Sequence, residues 1–120
     1  MSPRNIDNPY LFKKKFKMKF RDTKLHFPEF DSFVSHLTEN NTAYVVGGYL
    51  RDIQLEKNSR DIDLIIDTDE AGLDRMVFEW KSRSCKKNRM GGYKIRIEGL
   101  TVDFWSIRSE ERRVGKECRL

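Results

Sequence analysis

Cysteine is scarce: two in 120 residues, Cys85 and Cys118. Neither belongs to a CxxC pair or has a histidine nearby, so a disulfide scaffold and a zinc site are both set aside. They read as free thiols in a reducing compartment. The two histidines, His26 and His36, stand singly and lack metal-ligand spacing. Ordinary structural or surface roles are expected for them. Long apolar runs are missing as well. No stretch approaches the ~18 consecutive apolar residues of a membrane span. The start, Met1-Ser2-Pro3-Arg4-Asn5, carries no apolar segment of the signal-peptide kind. A soluble, cytoplasmic chain is the expectation. There is no internal repeat, and the length allows one domain.

What is present is charge and aromatic mass. Charged residues make up 36% and hydrophobic residues 38%, which is polar for a globular protein. The 12% aromatic content still suffices to seed a small core. The net charge of +5 is unevenly spread. Residues 1–24 hold eight Lys/Arg against two Asp/Glu, residues 25–107 eleven against fourteen, and residues 108–120 five against three. An acidic centre between basic ends suits a protein that gathers cations centrally and meets a polyanion at its flanks.

Residues 1–27 read as a basic leader, loose up to Pro9 and Tyr10 because Pro3, Asn5, Asn8 and Pro9 break any period. Residues 11–21 are ambiguous. Phe16, Met18 and Phe20 alternate with Lys17 and Lys19 as in a strand, yet Phe12, Phe16 and Phe20 repeat at helical spacing. The segment is either an edge element with its lysines in water or a basic, aromatic-interleaved patch for nucleic-acid phosphates.

Residues 28–39 predict an amphipathic helix, with Pro28 and Glu29 in its first turn and Phe30, Phe33, Val34 and Leu37 on one face. Residues 43–46 predict a buried strand that stops at Gly47-Gly48. A short helix over 49–55 follows, then a turn and a strand over 61–66. Thr68 is the expected cap of a helix whose core face is Leu73, Met76, Val77 and Trp80. Lys81 to Arg89 reads as a basic connection. Tyr93, Ile95 and Ile97 mark a third strand. Gly99-Leu100 turns the chain into a fourth, Thr101 to Ile107. The predicted order is α–β–α–β–α–β–β. Residues 28–107 are thus the expected domain. Residues 108–120 lose all period, and Arg112 to Arg119 resembles a translated sequencing-adapter read-through. A non-native or disordered tail is expected there.

The sharpest chemical signal is Asp61 and Asp63. On a strand, i and i+2 share a face with Cα atoms roughly 6.5–7 Å apart. Two carboxylates so placed repel each other unless a cation lies between them, and a divalent pair roughly 3.5–4 Å apart fits. The bland alternative is two solvated acids at a strand start. Asp67 and Asp69 repeat the spacing, but at a helix start, where acids serve as caps. Gly47-Gly48 closes a strand and opens a helix, so a phosphate can approach backbone N–H groups there; the alternative is a plain turn. Arg51 can face those phosphates or a carboxylate, or form an internal salt bridge, with Asp52 beside it as an ion-pair partner. Asp103 faces away from Val102 and Phe104. If a neighbouring strand brings it beside Asp61 and Asp63, the three can hold two Mg²⁺ ions, and Asp103 can polarise an attacking hydroxyl. Its alternative is a solvated strand acid.

Gly47-Gly48-Tyr49-Leu50-Arg51-Asp52, followed after eight residues by Asp61-Ile62-Asp63-Leu64, resembles the GGxxRD…DxDL signature of tRNA nucleotidyltransferases (CCA-adding enzymes) and poly(A) polymerases. These belong to the polymerase-beta-like nucleotidyltransferase superfamily. The resemblance spans about residues 28–107. It implies an α/β (α+β) palm, a mixed sheet of about four or five strands with helices on one side. It implies that Asp61 and Asp63 ligate metal, with Asp103 the superfamily's third carboxylate by type and context. It implies that Gly47, Gly48, Arg51 and Asp52 serve the nucleotide, with ATP and/or CTP as NTP substrate and RNA, foremost a tRNA 3′ end, as acceptor. The family usually has Gly at the position of Glu56, so a different turn is expected before the metal strand. Neck and body domains that choose the base are absent from this stretch, so a truncated fragment of low solubility is expected. Two alternatives stand: a non-catalytic nucleotide- or RNA-binding module of the same fold, and a transferase acting on a protein or small molecule.

Overall fold

The computed structural model describes residues 9–80, 85–107 and 117–120. Two helices come first, α1 (Pro9–His26) and α2 (Pro28–Thr38). Then follow β1 (Ala43–Val46), α3 (Gly48–Gln54), β2 (Asp61–Ile66) and α4 (Glu70–Trp80). The chain continues through β3 (Lys86–Lys87), β4 (Tyr93–Ile97), β5 (Leu100–Ser106) and β6 (Glu117–Arg119). The strands form one mixed sheet of order β3-β4-β5-β2-β1-β6. Among the described residues only β2 and β5 run parallel, connected through α4, β3 and β4; the other neighbours are antiparallel. The sheet is wider than the four or five strands expected because the short outer strands β3 and β6 carry no apolar alternation to announce them.

One face of the sheet carries the core. Ala43 and Val45, Ile62, Leu64 and Ile66, Ile95 and Ile97, and Val102 and Phe104 point into a single cluster with residues of all four helices. This is the predicted α+β layering. Among the described residues no helix is long and apolar enough to cross a membrane.

The ambiguous segment after Tyr10 is helical, and α1 begins already at Pro9. Its Phe12, Phe16 and Phe20 are buried at i, i+4 and i+8. Phe20 meets Phe30 and Tyr49 edge-on, at centroid distances of 5.8 and 6.2 Å. The strand reading would have paired Met18 with these rings, whereas Met18 is exposed. Burying a ring of this size is worth about 1.5–3 kcal/mol, so three rings with waiting partners decide the conformation. The segment read as a loose leader is therefore, from Pro9 onward, packed on the core; residues 1–8 lie outside the described residues.

Three further expectations are corrected. Residues 117–120 are not a disordered tail: Val45 pairs with Cys118 through the backbone, and Leu120 packs against the core. Residues 108–116 lie outside the described residues. Within the connection from Lys81 to Arg89, Lys86–Lys87 is a strand on β4; residues 81–84 are not described. The cap of α4 is not Thr68 but Asp69, the acid whose place at the helix start also suggested a capping role; its carboxylate accepts from the Gly72 amide at 2.8 Å. The N-terminus of α2 takes its cap from far along the chain. Glu98 Oε1 accepts from the Glu29 and Phe30 amides at 2.8 and 3.4 Å. His36 ties α2 to α4 through the Met76 carbonyl at 2.8 Å, and His26 bonds the Asp22 carbonyl, so both histidines have structural roles.

Candidate active site

The glycine bend and the acidic strand meet because β1 and β2 are antiparallel. Their register sets Val46 opposite Asp63, so the chain leaves β1 at Gly47 directly beside that carboxylate. Gly47 has φ 76° and ψ −142°, a conformation that L side chains rarely adopt. A β-carbon on it would stand 2.8 Å from Asp63 Oδ2. The missing side chain is therefore what lets backbone and carboxylate approach. The Gly47 carbonyl accepts from the Leu50 and Arg51 amides at 3.1 and 3.3 Å, which fixes the first turn of α3. Arg51 is exposed, and its guanidinium folds back over the bend, with one Nη 3.5 Å from where a Gly48 β-carbon would lie.

Parallel pairing of β2 with β5 sets Asp63 opposite Asp103 and Asp61 opposite Thr101. Neighbouring strands lie about 4.8 Å apart, so Asp63 and Asp103 are lateral neighbours on the face away from the helical core. Asp61 shares that face, two residues up β2, and is exposed. The β4–β5 hairpin then adds Lys94 opposite Asp103, with Nζ 3.9 Å from Oδ1. Lys94 was not foreseen from sequence. The turn is Glu98-Gly99, one residue earlier than expected, and only that register brings Lys94 into line.

The structure thus gathers Gly47, Gly48, Arg51 and Asp63 at one bend and sets Asp103 and Asp61 on the same face. Asp52 is half-buried on α3, and the hydrogen bond described for it is through its carbonyl, to the Lys57 amide at 2.7 Å. Among the described residues no three His, Cys, Asp or Glu side chains converge as a metal cage. The expected convergence of Asp61, Asp63 and Asp103 is therefore limited to a shared face and register, with the carboxyl groups not closed on one point. Their chemistry nevertheless fits a hard divalent cation: three carboxylates on one face, one of them beside a backbone without a β-carbon.

The turn into β2 is tight. Glu56 adopts φ 56°, the left-handed region. Its amide bonds the Ile53 carbonyl at 3.1 Å and the Lys57 amide bonds the Asp52 carbonyl, the two-bond helix ending that glycine favours. The turn is built with glutamate in a glycine's conformation rather than replaced by another turn. Behind the bend, buried Tyr49 places its hydroxyl 2.9 Å from Thr23 Oγ1, anchoring α3 to α1. Burial pushes the Tyr49 phenol up.

A second polar cluster braces the far side of the domain. The Tyr93 hydroxyl donates to Asp74 at 2.5 Å, and Lys87 Nζ reaches Asp74 at 3.0 Å and Glu70 at 3.5 Å. The Tyr93 hydrogen bond holds the Asp74 carboxyl below the usual range, with Lys87 assisting. Burial, then Asp74, pushes the Tyr93 phenol up. Burial also pushes the Cys85 thiol up to about 11.

A strand that ends in a glycine bend, a short helix, and a neighbouring strand with same-face carboxylates define the head domain of a nucleotidyltransferase. The family comparison agrees: residues 43–118 match the poly(A) polymerase head domain, and the chain belongs to that family. Among solved structures it is similar to a CCA-adding enzyme in complex with ATP. The two are 22% identical with a TM-score of 0.53, over 68% of this chain and 21% of the other. It is also similar to a tRNA-processing enzyme in an apo form, at 24% identity and a TM-score of 0.53, over 67% of this chain and 24% of the other. These likenesses concern the fold, and the chain spans about a fifth to a quarter of the length of those proteins. No curated protein sequence gives a significant match.

Proposed function

We propose that this chain is the catalytic head of an RNA nucleotidyltransferase, which joins a nucleotide from ATP or CTP to an RNA 3′ end with release of pyrophosphate. The reading rests chiefly on the approach of Gly47 to Asp63, a contact that a structural turn has no need of. Membership of the poly(A) polymerase head-domain family and the fold likeness to a CCA-adding enzyme in complex with ATP support it.

In this reading Gly47 and Gly48 admit the triphosphate to the Gly48 and Tyr49 amides at the start of α3, ahead of the Leu50 and Arg51 amides that the Gly47 carbonyl takes. Arg51, already folded over the bend, adds positive charge beside the β- and γ-phosphates. Asp61 and Asp63 would hold two Mg²⁺ ions, with Asp103 closing the set; such ions neutralise the carboxylates and the phosphate charge that builds on the leaving group. Asp103 accepts a hydrogen bond from the RNA 3′-hydroxyl and orients it toward the α-phosphate. Lys94, with Nζ 3.9 Å from Asp103 Oδ1, balances the charge of that carboxylate and would share it with a bound cation. Asp52 assists the bend by its position in the motif.

The test is extension of a tRNA lacking its 3′ end, with labelled ATP or CTP and Mg²⁺, by the wild type and by Asp61→Ala/Asp63→Ala. Extension that disappears in the double variant is expected. Nucleotide binding without extension would instead mark a binding module, and transfer to protein in place of RNA would reassign the acceptor.

A further inference from the structure

The cations of α1 are not scattered. At 100° per residue, Lys13, Lys14, Lys17, Arg21 and Lys24 fall within an arc of about 100°, and Lys13 to Lys24 extends about 16 Å along the axis. The helix has one acid, Asp22, on the opposite side of that arc. Among the described residues no carboxylate lies within ion-pair distance of any of the five. Lys15 and Lys19 differ: they lie on the other flank and are tied to Glu56 and Asn58 on the turn before β2. Lys17, Arg21 and Lys24 also border a cleft of about 300 Å³ between α1, α2 and the end of the chain, where Ser35 and Thr38 lie and, among the described residues, no acidic side chain lines the wall.

A basic amphipathic helix can lie on an anionic membrane only if its apolar face is free to insert. Here that face, Phe12, Phe16 and Phe20, is buried against α2 and α3. What remains outside is a row of cations held at fixed spacing by a packed helix, which suits a row of phosphates. We propose that Lys13, Lys14, Lys17, Arg21 and Lys24 form a docking stripe for the RNA sugar-phosphate backbone. The stripe belongs to the helical side of the domain, whereas the carboxylates face away from that side. It therefore grips the body of the acceptor and leaves the 3′ end to the site. The identity of the polyanion as RNA rests on the reading of the acceptor above; the stripe itself does not.

Fluorescence anisotropy of the whole chain with a labelled single-stranded RNA, titrated over a salt series, tests this. Lys13→Gln/Lys17→Gln/Arg21→Gln/Lys24→Gln removes four charges from exposed or half-exposed positions. It should lower the slope of log K against log salt by about 3, at roughly 0.7 per phosphate contact. Lys15→Gln/Lys19→Gln should change it by less than about 1 on the same scale. Circular dichroism establishes that both variants are folded. Unchanged affinity and slope in the quadruple variant overturns the proposal. So does stripe-dependent binding to phosphatidylserine vesicles with no binding of RNA. Stripe-dependent RNA binding without nucleotide transfer would thus refute the catalytic reading alone, and transfer with normal RNA binding by the quadruple variant would refute the stripe alone.

Discussion

Gly47 and Asp63 are in a contact that only glycine permits: a β-carbon at residue 47 would stand 2.8 Å from Asp63 Oδ2. The backbone at that point also has φ 76°, so both the space and the conformation forbid a side chain. Gly47→Ala must move the bend or turn the carboxylate away. Nucleotide transfer should fall by about 100-fold, as displacement of reacting groups by about an ångström costs. Stability should fall by about 1–3 kcal/mol. Extension kinetics and thermal unfolding measured on the same preparation check both. A variant that transfers nucleotide at the wild-type rate would remove the contact from the mechanism.

Glu56 holds a left-handed backbone that costs a non-glycine residue roughly 1–2 kcal/mol. Its side chain returns little, because the Lys15–Glu56 pair at 3.4 Å is largely exposed. Glu56→Gly should therefore raise stability by about 1 kcal/mol, a rise in Tm of about 4 °C. A calorimetric scan showing a lower Tm would mean that the ion pair outweighs the strain.

Glu98 caps α2 from the β4–β5 turn, across 69 positions of sequence. Glu98→Ala leaves the Glu29 and Phe30 amides to water and should cost about 1 kcal/mol. Glu98→Gln keeps an acceptor oxygen and should lose less than half of that. Equal chemical-denaturation midpoints for the alanine variant and the wild type would show the cap to be idle.

The Tyr93–Asp74 bond predicts stability at both ends of the pH scale. Asp74 is shifted down, so its contribution is in place above the ordinary carboxylate value and fades as pH falls through the folded one. Tyr93 is shifted up, so its contribution is in place below the ordinary phenol value and fades as pH rises through the folded one. Wild-type Tm should be level between about pH 5 and pH 9 and decline outside that window. Tyr93→Phe should start lower and lose the tyrosine-linked part of the alkaline decline. Parallel curves for the two proteins across the alkaline range would exclude this linkage.

Much of this molecule was legible locally. The repeat of Phe30, Phe33, Val34 and Leu37 marked α2, and the alternation of Tyr93, Ile95 and Ile97 marked β4, because each pattern has the period of the structure that buries it. The glycine pair and the two-residue spacing of Asp61 and Asp63 gave the candidate site, since a bend without side chains and a shared strand face are properties of neighbouring residues. The strand or helix choice for α1 was not legible, because both periods were present and the decision fell to Phe30 and Tyr49, which are remote in sequence. Likewise, Lys86–Lys87 and Glu117–Arg119 are strands only because β4 and β1 offer open edges to them.

The sequence by itself determined which residues can do chemistry and which faces must be buried, for these follow from side-chain type and short-range period. Only the tertiary structure decided who stands beside whom. Pairing registers set Asp63 opposite Val46, Asp103 opposite Asp63, and Lys94 opposite Asp103. A slip of one residue in any of these ladders would send the carboxylate into the core, and the burial of Ile62, Leu64, Val102 and Phe104 on the other face is what forbids the slip.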